Sequence, residues 1–460
     1  MEQLFHFLPW TEKRLKGFTE QQLKMLLSPV TGLEQDQTEV ITNLMVLLYN
    51  RHHGTIDLKR FRHRAQVVEW YRCIGVDLYN IESLIACLKH GQLQAVSEKL
   101  PGVNLVGYSR GRLGLGEDLR LMARFLLKVG IPFSVFRLGH PSDSNEYSEL
   151  HQFESSHVKY HKSVFFMNAI ELEKLIALYD DFQHRFGYTI AIPPWELPKA
   201  PARWIDTLEK FDEVWSISNF VKQAYDSIGL DTKLFPPFVD ESNVVCNVAR
   251  RQKSYFTFMY IFDANSFLQR KNPQAIVEAF LLAFPNVREN VRLVLKVSNS
   301  KSDKDWDELQ SLCAQDYRIK IIDNLADSTF MEGLWSKCDC YVSLHRSEGF
   351  GRTLAEAALR KIPIVTTGWS GSQDIVGDNY PLSVSFTERE LGEGEYPEWQ
   401  NQHWAVPLID DAVAKLKKVY SARNNQSLLP VTERTYLKVK SEYSINDSDR
   451  RELIRNLSHK

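Results

Sequence analysis

The chain has 460 residues, too many for one hydrophobic core, so it is expected to form two or three domains. Hydrophobic residues make up 43% and charged residues 25%, which is typical of a soluble globular protein. The formal net charge of −2 supplies no basic field, and no nucleic-acid-reading motif is present, so we expect no nucleic-acid partner.

The lack of a recognisable signal peptide and the cysteine usage favour a cytoplasmic protein. The start, Met1-Glu-Gln-Leu-Phe5, lacks the basic residues and apolar core of a signal peptide, and the apolar runs are too short to span a bilayer. The six cysteines, at positions 73, 87, 246, 313, 338 and 340, show neither a metal-binding spacing nor a disulfide framework.

Residues 1–98 are predicted to form a helical extension, with helices expected over Glu39–Tyr49, Phe61–Ile74 and Ile81–His90. One interpretation is a small helical bundle that packs on the rest of the protein, since amphipathic faces usually meet a core. The other is a docking module for a membrane surface or an assembly complex, which would place the protein at the inner face of the membrane.

From Pro101 to residue 237, strands alternate with helices, which indicates a parallel sheet covered on both faces. The expected strands are Asn104–Tyr108, Phe133–Phe136, Lys162–Met167, Tyr188–Ile192, Glu213–Ile217 and Lys233–Phe235. A glycine-rich loop containing Gly114 and Gly116 precedes a helix predicted over Glu117–Val129. Because glycine has no Cβ, these two residues allow close approach of a donor or acceptor, although a tight strand-to-helix turn would need them equally.

A second strand–helix series follows Pro236-Pro237 and occupies residues 238–425. Its expected strands are Tyr255–Phe262, Val291–Val297, Ile319–Ile322, Asp339–Leu344 and Ile362–Val365. Residues 426–460 are predicted to be a helical tail. Two Rossmann-like domains, 99–237 and 238–425, are therefore expected, with ligands at the carboxyl ends of their strands.

The segment His345–Glu356 carries the strongest functional signal. It follows an apolar strand, contains the turn Gly349-Phe350-Gly351, and leads into a helix predicted over Arg352–Lys361. The N–H groups of such a turn and the positive end of the helix favour an anion such as phosphate. Thr353, in the first turn of that helix, is placed to donate a hydrogen bond to a phosphate.

Two glutamates accompany this turn. Glu348 lies at its mouth and Glu356 follows eight positions later, just over two helical turns, so both carboxylates are expected on roughly the same side. Carboxylates suit sugar hydroxyls, and a phosphate site beside them predicts a nucleotide-sugar site. A surface turn with two solvated glutamates is the alternative. His345 either faces the sugar or is a packed histidine at a strand end.

The basic pair Arg270-Lys271 precedes a helix predicted over Pro273–Phe284. Two cations here could clamp a diphosphate, and arginine could do so in bidentate fashion. An exposed basic pair without a ligand is the alternative.

The string Glu348-Gly-Phe-Gly-Arg-Thr-Leu-Ala-Glu356 resembles the Glu-x7-Glu signature of glycosyltransferase family 4. Further matching segments are Gly102-Val-Asn-Leu-Val-Gly-Tyr108, Gly114-Leu-Gly-Glu117, Trp195-Glu-Leu-Pro198, Asp212-Glu-Val-Trp-Ser-Ile-Ser218 and Arg270-Lys-Asn-Pro273. With these segments, the chain is most similar to a bacterial subgroup of that family found in O-antigen and other surface-polysaccharide (lipopolysaccharide-type) assembly.

The resemblance implies the GT-B fold, an α/β architecture of two Rossmann-like domains facing a cleft, here with an N-terminal helical extension. It implies a retaining glycosyltransferase of the hexosyltransferase type that moves a sugar from a nucleotide-diphosphate sugar to a glycan or lipid-linked acceptor. No metal and no cofactor beyond the nucleotide-sugar co-substrate are expected. A non-catalytic GT-B scaffold module of a polysaccharide-assembly complex is the alternative, against which the presence of Lys271 and both glutamates argues.

The resemblance also implies roles for individual residues. Lys271 matches the family lysine that holds the donor diphosphate, Glu348 would bind the sugar hydroxyls and stabilise the charged ring, and Glu356 would bind the ribose hydroxyls. The family arginine usually lies in a Gly-Arg pair earlier in the chain, where this sequence has Phe262-Asp263, which leaves the role of Arg270 open.

Many family members have a histidine near the sugar where this chain has Trp195-Glu196. We therefore expect Trp195 and Glu196 at the substrate, with Glu196 contacting the donor sugar or orienting the acceptor. A helix-capping role for this acid before Pro198 is the alternative.

Overall fold

The computed structural model describes residues 25–30, 41–71, 75, 100–140, 142–144, 147–155, 157–179, 182–241, 244, 254–300, 303–324 and 326–444. This part of the chain divides into two compact units. The first contains the described residues up to 193 and Asp206–Val214, and the second contains Pro194–Ile205 and the described residues from 215 to 444.

Two helices are described near the N-terminus: α1 (Asn43–His53) and α2 (Phe61–Trp70). Helix α1 begins four residues after the predicted start because Thr42, in extended conformation, caps it by accepting a hydrogen bond from the Met45 N–H. A small apolar cluster that includes Val67 and Val68 joins α1 to α2. The helix predicted over Ile81–His90 lies outside the described residues.

The first sheet has six parallel strands in the order β2-β1-β3-β4-β5-β6. The strands are β1 (Leu100–Gly107), β2 (Phe133–Arg137), β3 (Tyr160–Phe166), β4 (Tyr188–Ala191), β5 (Glu213–Ser216) and β6 (Lys233–Leu234). The helices between them are α3 (Gly114–Val129), α4 (Ala169–Leu178), α5 (Phe182–Phe186), α6 (Ile205–Leu208) and α7 (Asn219–Asp226). All six predicted strands are present within a few residues of their expected bounds.

The fully buried Asn104 fixes the pairing of β1 with β3. Its amide N–H groups donate to the carbonyls of Tyr160 at 2.9 Å and Lys162 at 2.8 Å, and its Oδ1 accepts the N–H of Lys159 at 2.9 Å. A buried amide satisfied at both ends stabilises this register at the point where the β1–β3 pairing shifts, between Leu100 and Val103.

The second sheet also has six parallel strands, in the order β12-β11-β10-β7-β8-β9. Its strands are β7 (Phe256–Asp263), β8 (Val291–Ser298), β9 (Ile319–Asp323), β10 (Cys340–Ser343), β11 (Ile364–Thr367) and β12 (Ser383–Val384). The direction of the strand order reverses between β7 and β10. In open parallel sheets, ligands bind beyond the carboxyl ends of the strands at such a switch point.

Eight helices accompany this sheet in the described chain. They are α8 (Leu268–Lys271), α9 (Pro273–Ala283), α10 (Lys304–Cys313), α11 (Ser328–Trp335), α12 (Arg352–Leu359), α13 (Ser372–Val376), α14 (Ile409–Ser421) and α15 (Leu429–Tyr443). An antiparallel pair, β13 (Phe386–Glu390) and β14 (His403–Pro407), is inserted before α14. No helix in the described ranges is long and apolar enough to cross a membrane. The two parallel sheets with their helices confirm the predicted α/β class.

Candidate active site

The predicted cationic and acidic residues follow the two strands that flank the switch point of the second sheet. Strand β7 leads into α8, which ends at Lys271, and strand β10 leads into the loop that contains Glu348. Because β7 and β10 are parallel neighbours, paired at Cys340 and Phe258, their carboxyl ends lie at the same edge of the sheet. The topology therefore brings together residues that are 77 positions apart in the sequence.

Lys271, Arg270 and Glu348 form a buried ion cluster. The ammonium of Lys271 donates to Oε1 of Glu348, and Nη1 of Arg270 lies 3.3 Å from Oε2 of the same carboxylate. Their side chains are only 15%, 4% and 11% exposed, respectively. Both cations predicted to bind a diphosphate thus contact the glutamate predicted to face the sugar.

The backbone around α8 is held in an unusual conformation. Phe267, before the helix, has φ 65°, and Asn272, after it, has φ 51° and ψ 49° in the left-handed region. Asparagine adopts the left-handed region readily, but for Phe267 a positive φ is a strain that the surroundings must enforce. Here Asn272 Nδ2 donates to the Leu344 carbonyl at 2.9 Å, and the Tyr260 hydroxyl donates to the Lys271 carbonyl at 2.9 Å. These contacts aim the basic pair at the loop after β10.

The electrostatics of the cluster keep Glu348 ionised. Burial alone would raise the pKa of this carboxyl, but Lys271 and Arg270 outweigh burial and hold its pKa at about 2. Burial lowers the pKa of Lys271, and Glu348 counteracts that effect only in part. For Arg270, burial opposes the charge, but Glu348 raises the pKa above its usual range. The cluster therefore holds an ionised carboxylate between two basic side chains.

The glycine turn packs tightly against its neighbours. A Cβ on Gly349 would lie 2.7 Å from the Trp195 carbonyl oxygen, and a Cβ on Gly371 would lie 2.0 Å from the Gly349 carbonyl oxygen. Gly351 has φ 93° and directly precedes α12. The Ser218 hydroxyl donates to the Gly349 carbonyl at 2.5 Å while accepting the Val221 N–H at the start of α7. The turn is thus fixed from two sides.

Of the two α12 residues predicted to bind the nucleotide, Thr353 lies in the first turn of the helix, at the positive end of the helix dipole. Thr353 is partly buried, and its Oγ1 accepts a hydrogen bond from Tyr341 at 2.6 Å. Glu356 lies farther along the same helix and is partly exposed. Because α12 begins only at Arg352, Glu348 lies outside it, and the helical spacing argument for the two glutamates does not apply.

Three other predicted site residues have buried aromatic rings. Phe350 is 5% exposed and packs edge-on against Tyr443, with ring centroids 5.4 Å apart. Trp195 is 5% exposed, meets Trp204 edge-on at 4.8 Å, and donates through Nε1 to the Lys199 carbonyl at 2.8 Å. His345 is fully buried with Nδ1 2.9 Å from Ser343 Oγ, and burial lowers its pKa to about 4.

Glu196 occupies a different environment from its neighbour Trp195. Its side chain is half-buried, and Oε2 accepts a hydrogen bond from the Tyr396 hydroxyl at 2.8 Å. Its carbonyl accepts a hydrogen bond from the Ser347 hydroxyl, one residue before Glu348. Glu196 and Glu348 are thus tied to the same loop.

Gly114 and Gly116 lie in the other compact unit. Helix α3 begins at Gly114, three residues before the predicted start, so both glycines belong to its first turn. A Cβ on Gly116 would lie 2.5 Å from the Gly111 carbonyl oxygen, whereas nothing lies within 4 Å of one on Gly114. Close packing explains Gly116, as the tight-turn alternative anticipated, and a substrate role for either glycine stays a prediction.

The sequence interpretation missed Tyr396, Ser218 and Ser370 as parts of this site. Ser370 Oγ accepts the Glu348 N–H at 2.9 Å, and Ser370 itself has φ 70°. Ser218 ends one of the segments that resemble the family, but no spacing rule connects Ser218 or Ser370 to Glu348. In the described ranges, no group of three or more His, Cys, Asp or Glu side chains is arranged to hold a metal ion.

A family match covers the segment of the chain that contains the ion cluster. Residues 266–390 match a family described as "Glycosyl transferases group 1". This segment contains Arg270, Lys271, Glu348 and Glu356. No curated protein matches the chain.

Solved structures show the same fold at low sequence identity. A glycosyltransferase from Rickettsia africae is 15% identical with a TM-score of 0.56, over 78% of this chain and 97% of that chain. HepE from Anabaena, solved in complex with UDP and glucose, is 15% identical with a TM-score of 0.54, over 78% and 99%. The lipopolysaccharide outer core galactosyltransferase WaaB is 14% identical with a TM-score of 0.50, over 74% and 97%.

The chain therefore has the GT-B fold of glycosyltransferases, as predicted. The match to glycosyl transferases group 1 falls within its second Rossmann-like unit.

Proposed function

We propose that the protein is a retaining glycosyltransferase that moves a sugar from a nucleoside-diphosphate sugar to a glycan or lipid-linked acceptor in surface-polysaccharide biosynthesis. The observation that carries the proposal is the buried cluster of Lys271, Arg270 and Glu348 at the switch point of the second sheet. The match of residues 266–390 to glycosyl transferases group 1 supports the same assignment.

The cluster suits a diphosphate because two basic side chains converge on one point. Lys271 and Arg270 both lie against the Glu348 carboxylate, and desolvated cations form strong hydrogen bonds with phosphate oxygens. The start of α12 adds the positive end of the helix dipole. As the bond to the leaving diphosphate breaks, these groups stabilise the negative charge that develops on the diphosphate. We propose that the two basic side chains take this role in place of a divalent metal.

Glu348 has a second task in this scheme. When a diphosphate pairs with Lys271 and Arg270, the carboxylate loses part of its cationic environment. In the cluster without a ligand the cations hold its pKa at about 2, so the carboxylate is ionised when the donor enters and is available to accept hydrogen bonds from the sugar hydroxyls. The same negative charge stabilises the sugar ring, which becomes positively charged in the transition state. We propose that the departing phosphate oxygen takes the acceptor proton on the same face.

We place the reaction on the cytoplasmic side of the membrane, where lipid-linked acceptors are assembled. HepE, which was solved with UDP and glucose, and WaaB, a lipopolysaccharide galactosyltransferase, support a sugar donor of this type by similarity of fold only.

The proposal is tested by thermal unfolding of the full chain with UDP, GDP and their sugar derivatives. A ligand that binds only the folded protein raises the unfolding midpoint, so selective stabilisation by one nucleotide is expected. Transfer from that donor to an extract of lipid-linked glycans then establishes catalysis. A chain that binds nucleotide sugars without transfer to any acceptor would be a scaffold, and one that binds none would contradict the proposal.

A further inference from the structure

Tyr396 lies in the connection 391–402 between β13 and β14, outside the parallel sheet. The connection is closed at its base by a hydrogen bond from the Leu391 N–H to the Gln402 carbonyl at 2.9 Å. Although Tyr396 belongs to a loop, only 7% of its surface is exposed. Its side chain is therefore directed into the second unit.

The ring of Tyr396 packs against the residues that carry the cations. It meets the ring of Phe267 at 4.7 Å, and the guanidinium carbon of Arg270 lies 5.8 Å from its centroid. An aromatic ring at that distance from a buried guanidinium stabilises the cation. The connection 391–402 thus forms part of the wall around the ion cluster.

The hydroxyl of Tyr396 fixes the position of the Glu196 carboxylate. It donates to Oε2 of Glu196 at 2.8 Å, and the Ser347 hydroxyl holds the Glu196 carbonyl. The other carboxylate oxygen, Oε1, has no hydrogen-bond partner in the part of the chain that the structure describes. A half-buried carboxylate fixed through one oxygen presents the other as an acceptor in a defined direction.

Glu196 belongs electrostatically to the same cluster as Glu348. Its charge acts on both cations, opposing the effect of burial on Arg270 and Lys271. Two carboxylates therefore adjoin the two cations, one of them held by the loop after β10 and one by Tyr396. The diphosphate requires the cations, which leaves the carboxylates as acceptors for uncharged donor groups.

We propose that Tyr396 is a positioning residue for the transferred sugar: it orients Glu196 so that Oε1 accepts a hydroxyl of a neutral sugar. This inference rests on the proposed function, since it assumes a nucleoside-diphosphate sugar at the cluster. A sugar with its own carboxylate, a uronic acid, is disfavoured because it would meet the charges of Glu196 and Glu348.

The test compares Tyr396→Phe with wild type by calorimetry on the full chain. The probes are UDP with UDP-glucose and GDP with GDP-mannose, and the pair that binds wild type is carried forward. Tyr396→Phe keeps the ring and removes the hydroxyl, so the nucleoside diphosphate alone should bind within about twofold of wild type. The sugar nucleotide should bind roughly 5- to 10-fold more weakly, the scale of one hydrogen bond.

A matched control removes a buried tyrosine hydroxyl elsewhere in the same unit. Tyr380 is 4% exposed, and its hydroxyl accepts the Ile364 N–H at 3.2 Å. Tyr380→Phe should leave the affinity ratio between sugar nucleotide and nucleotide unchanged. In steady state, Tyr396→Phe should raise the donor KM more than it lowers kcat, which a purely structural defect would not do selectively.

Glu196→Gln tests the choice of sugar. Wild type should bind the sugar nucleotide at least about tenfold more tightly than its uronic-acid counterpart, and the variant should narrow that gap. The inference is overturned if Tyr396→Phe binds both ligands as wild type does, or weakens both equally. Binding of the uronic-acid nucleotide as tight as that of the neutral one would overturn the sugar class. If wild type binds no nucleotide at all, the proposed function fails and this inference with it.

Discussion

The ammonium of Lys271, at the end of α8, donates a hydrogen bond to the carboxylate of Glu348, in the loop after β10. The contact is intramolecular and buried, and it occupies the group that the proposed function assigns to the donor diphosphate. Binding therefore exchanges one ionic partner of Lys271 for another. Nucleotide affinity should therefore depend on Arg270, which lies 3.3 Å from the same carboxylate and remains as its ionic partner when Lys271 turns to the diphosphate.

Lys271→Ala should weaken nucleoside diphosphate binding by ~1.5–3 kcal/mol, the range for a charge-assisted hydrogen bond. Calorimetry measures the change. The matched control is Lys304→Ala, which removes a lysine that is 87% exposed at the start of α10 and should have no effect. Unchanged affinity in Lys271→Ala would remove Lys271 from the site.

Gly371→Ala and Gly333→Ala should change stability in opposite directions. Gly371 has an ordinary helical φ of −59°, but a Cβ there would lie 2.0 Å from the Gly349 carbonyl oxygen, so the two loops must separate. Gly333 lies inside α11 with nothing within 4 Å of an added Cβ, so alanine should stabilise the helix by ~0.5–1 kcal/mol.

The measurement for both glycine variants is urea unfolding, followed by nucleotide affinity. Gly371→Ala should lower the unfolding midpoint and weaken nucleotide binding, because it displaces the turn that contains Glu348. If Gly371→Ala were as stable as wild type, the tight contact between the two loops would be wrong.

His345 should make the protein less stable in mild acid. Burial lowers its pKa from the ordinary 6.5 to about 4, so the unfolded chain binds a proton in this range and the folded chain does not. Stability is therefore unaffected above about pH 6.5 and falls by about 1.4 kcal/mol per pH unit as the pH decreases towards 4. His345→Asn should flatten this part of the stability profile.

The comparison for His345 is the slope of unfolding free energy against pH, because the substitution also changes packing. His161, which is exposed on β3, provides the control, and His161→Asn should retain the wild-type slope. An equal slope in wild type and His345→Asn would show that burial does not lower the pKa of His345.

Much of the fold followed from hydrophobic patterning, because parallel strands buried on both faces form apolar runs that stand out between helices. Element ends were less predictable. Helix α3 begins at Gly114 rather than Glu117, so it includes Gly116. Glycine is needed at position 116 because a Cβ there would meet the carbonyl oxygen of Gly111, and helix propensity does not indicate this. That contact depends on the path of the loop, which local sequence does not specify.

The site was predictable where residues are linked by topology, and was not where they are linked by tertiary packing. Lys271 and Glu348 follow neighbouring strands, so strand order alone places them together. Phe350 is predicted to meet the ligand through the N–H groups of its turn, which stays a prediction, but no sequence pattern indicates that its ring packs on Tyr443, nearly a hundred residues later. Tyr396 reaches Glu196 from an inserted antiparallel pair, and no sequence spacing indicates that contact.

Replacing the two glutamates of the motif should change different kinetic constants. Glu356, on α12, is expected to bind the ribose, which does not change during the reaction, so Glu356→Gln should mostly raise the donor KM. Glu348 is expected to face the sugar ring, whose charge rises in the transition state, so Glu348→Gln should lower kcat by roughly 10²-fold or more. Glutamine keeps the shape and removes the charge, which isolates the electrostatic contribution.

The measurement is donor-saturated turnover against a purified acceptor for both glutamine variants, with Glu308→Gln as a control on the exposed surface of α10. Glu348→Gln also leaves Lys271 and Arg270 without their carboxylate, so its affinity for the nucleoside diphosphate alone should stay the same or increase as kcat falls. That combination separates loss of catalysis from loss of binding. If Glu348→Gln retains the wild-type kcat, Glu348 only holds the cations in place, and the positive charge on the sugar ring is stabilised by another group.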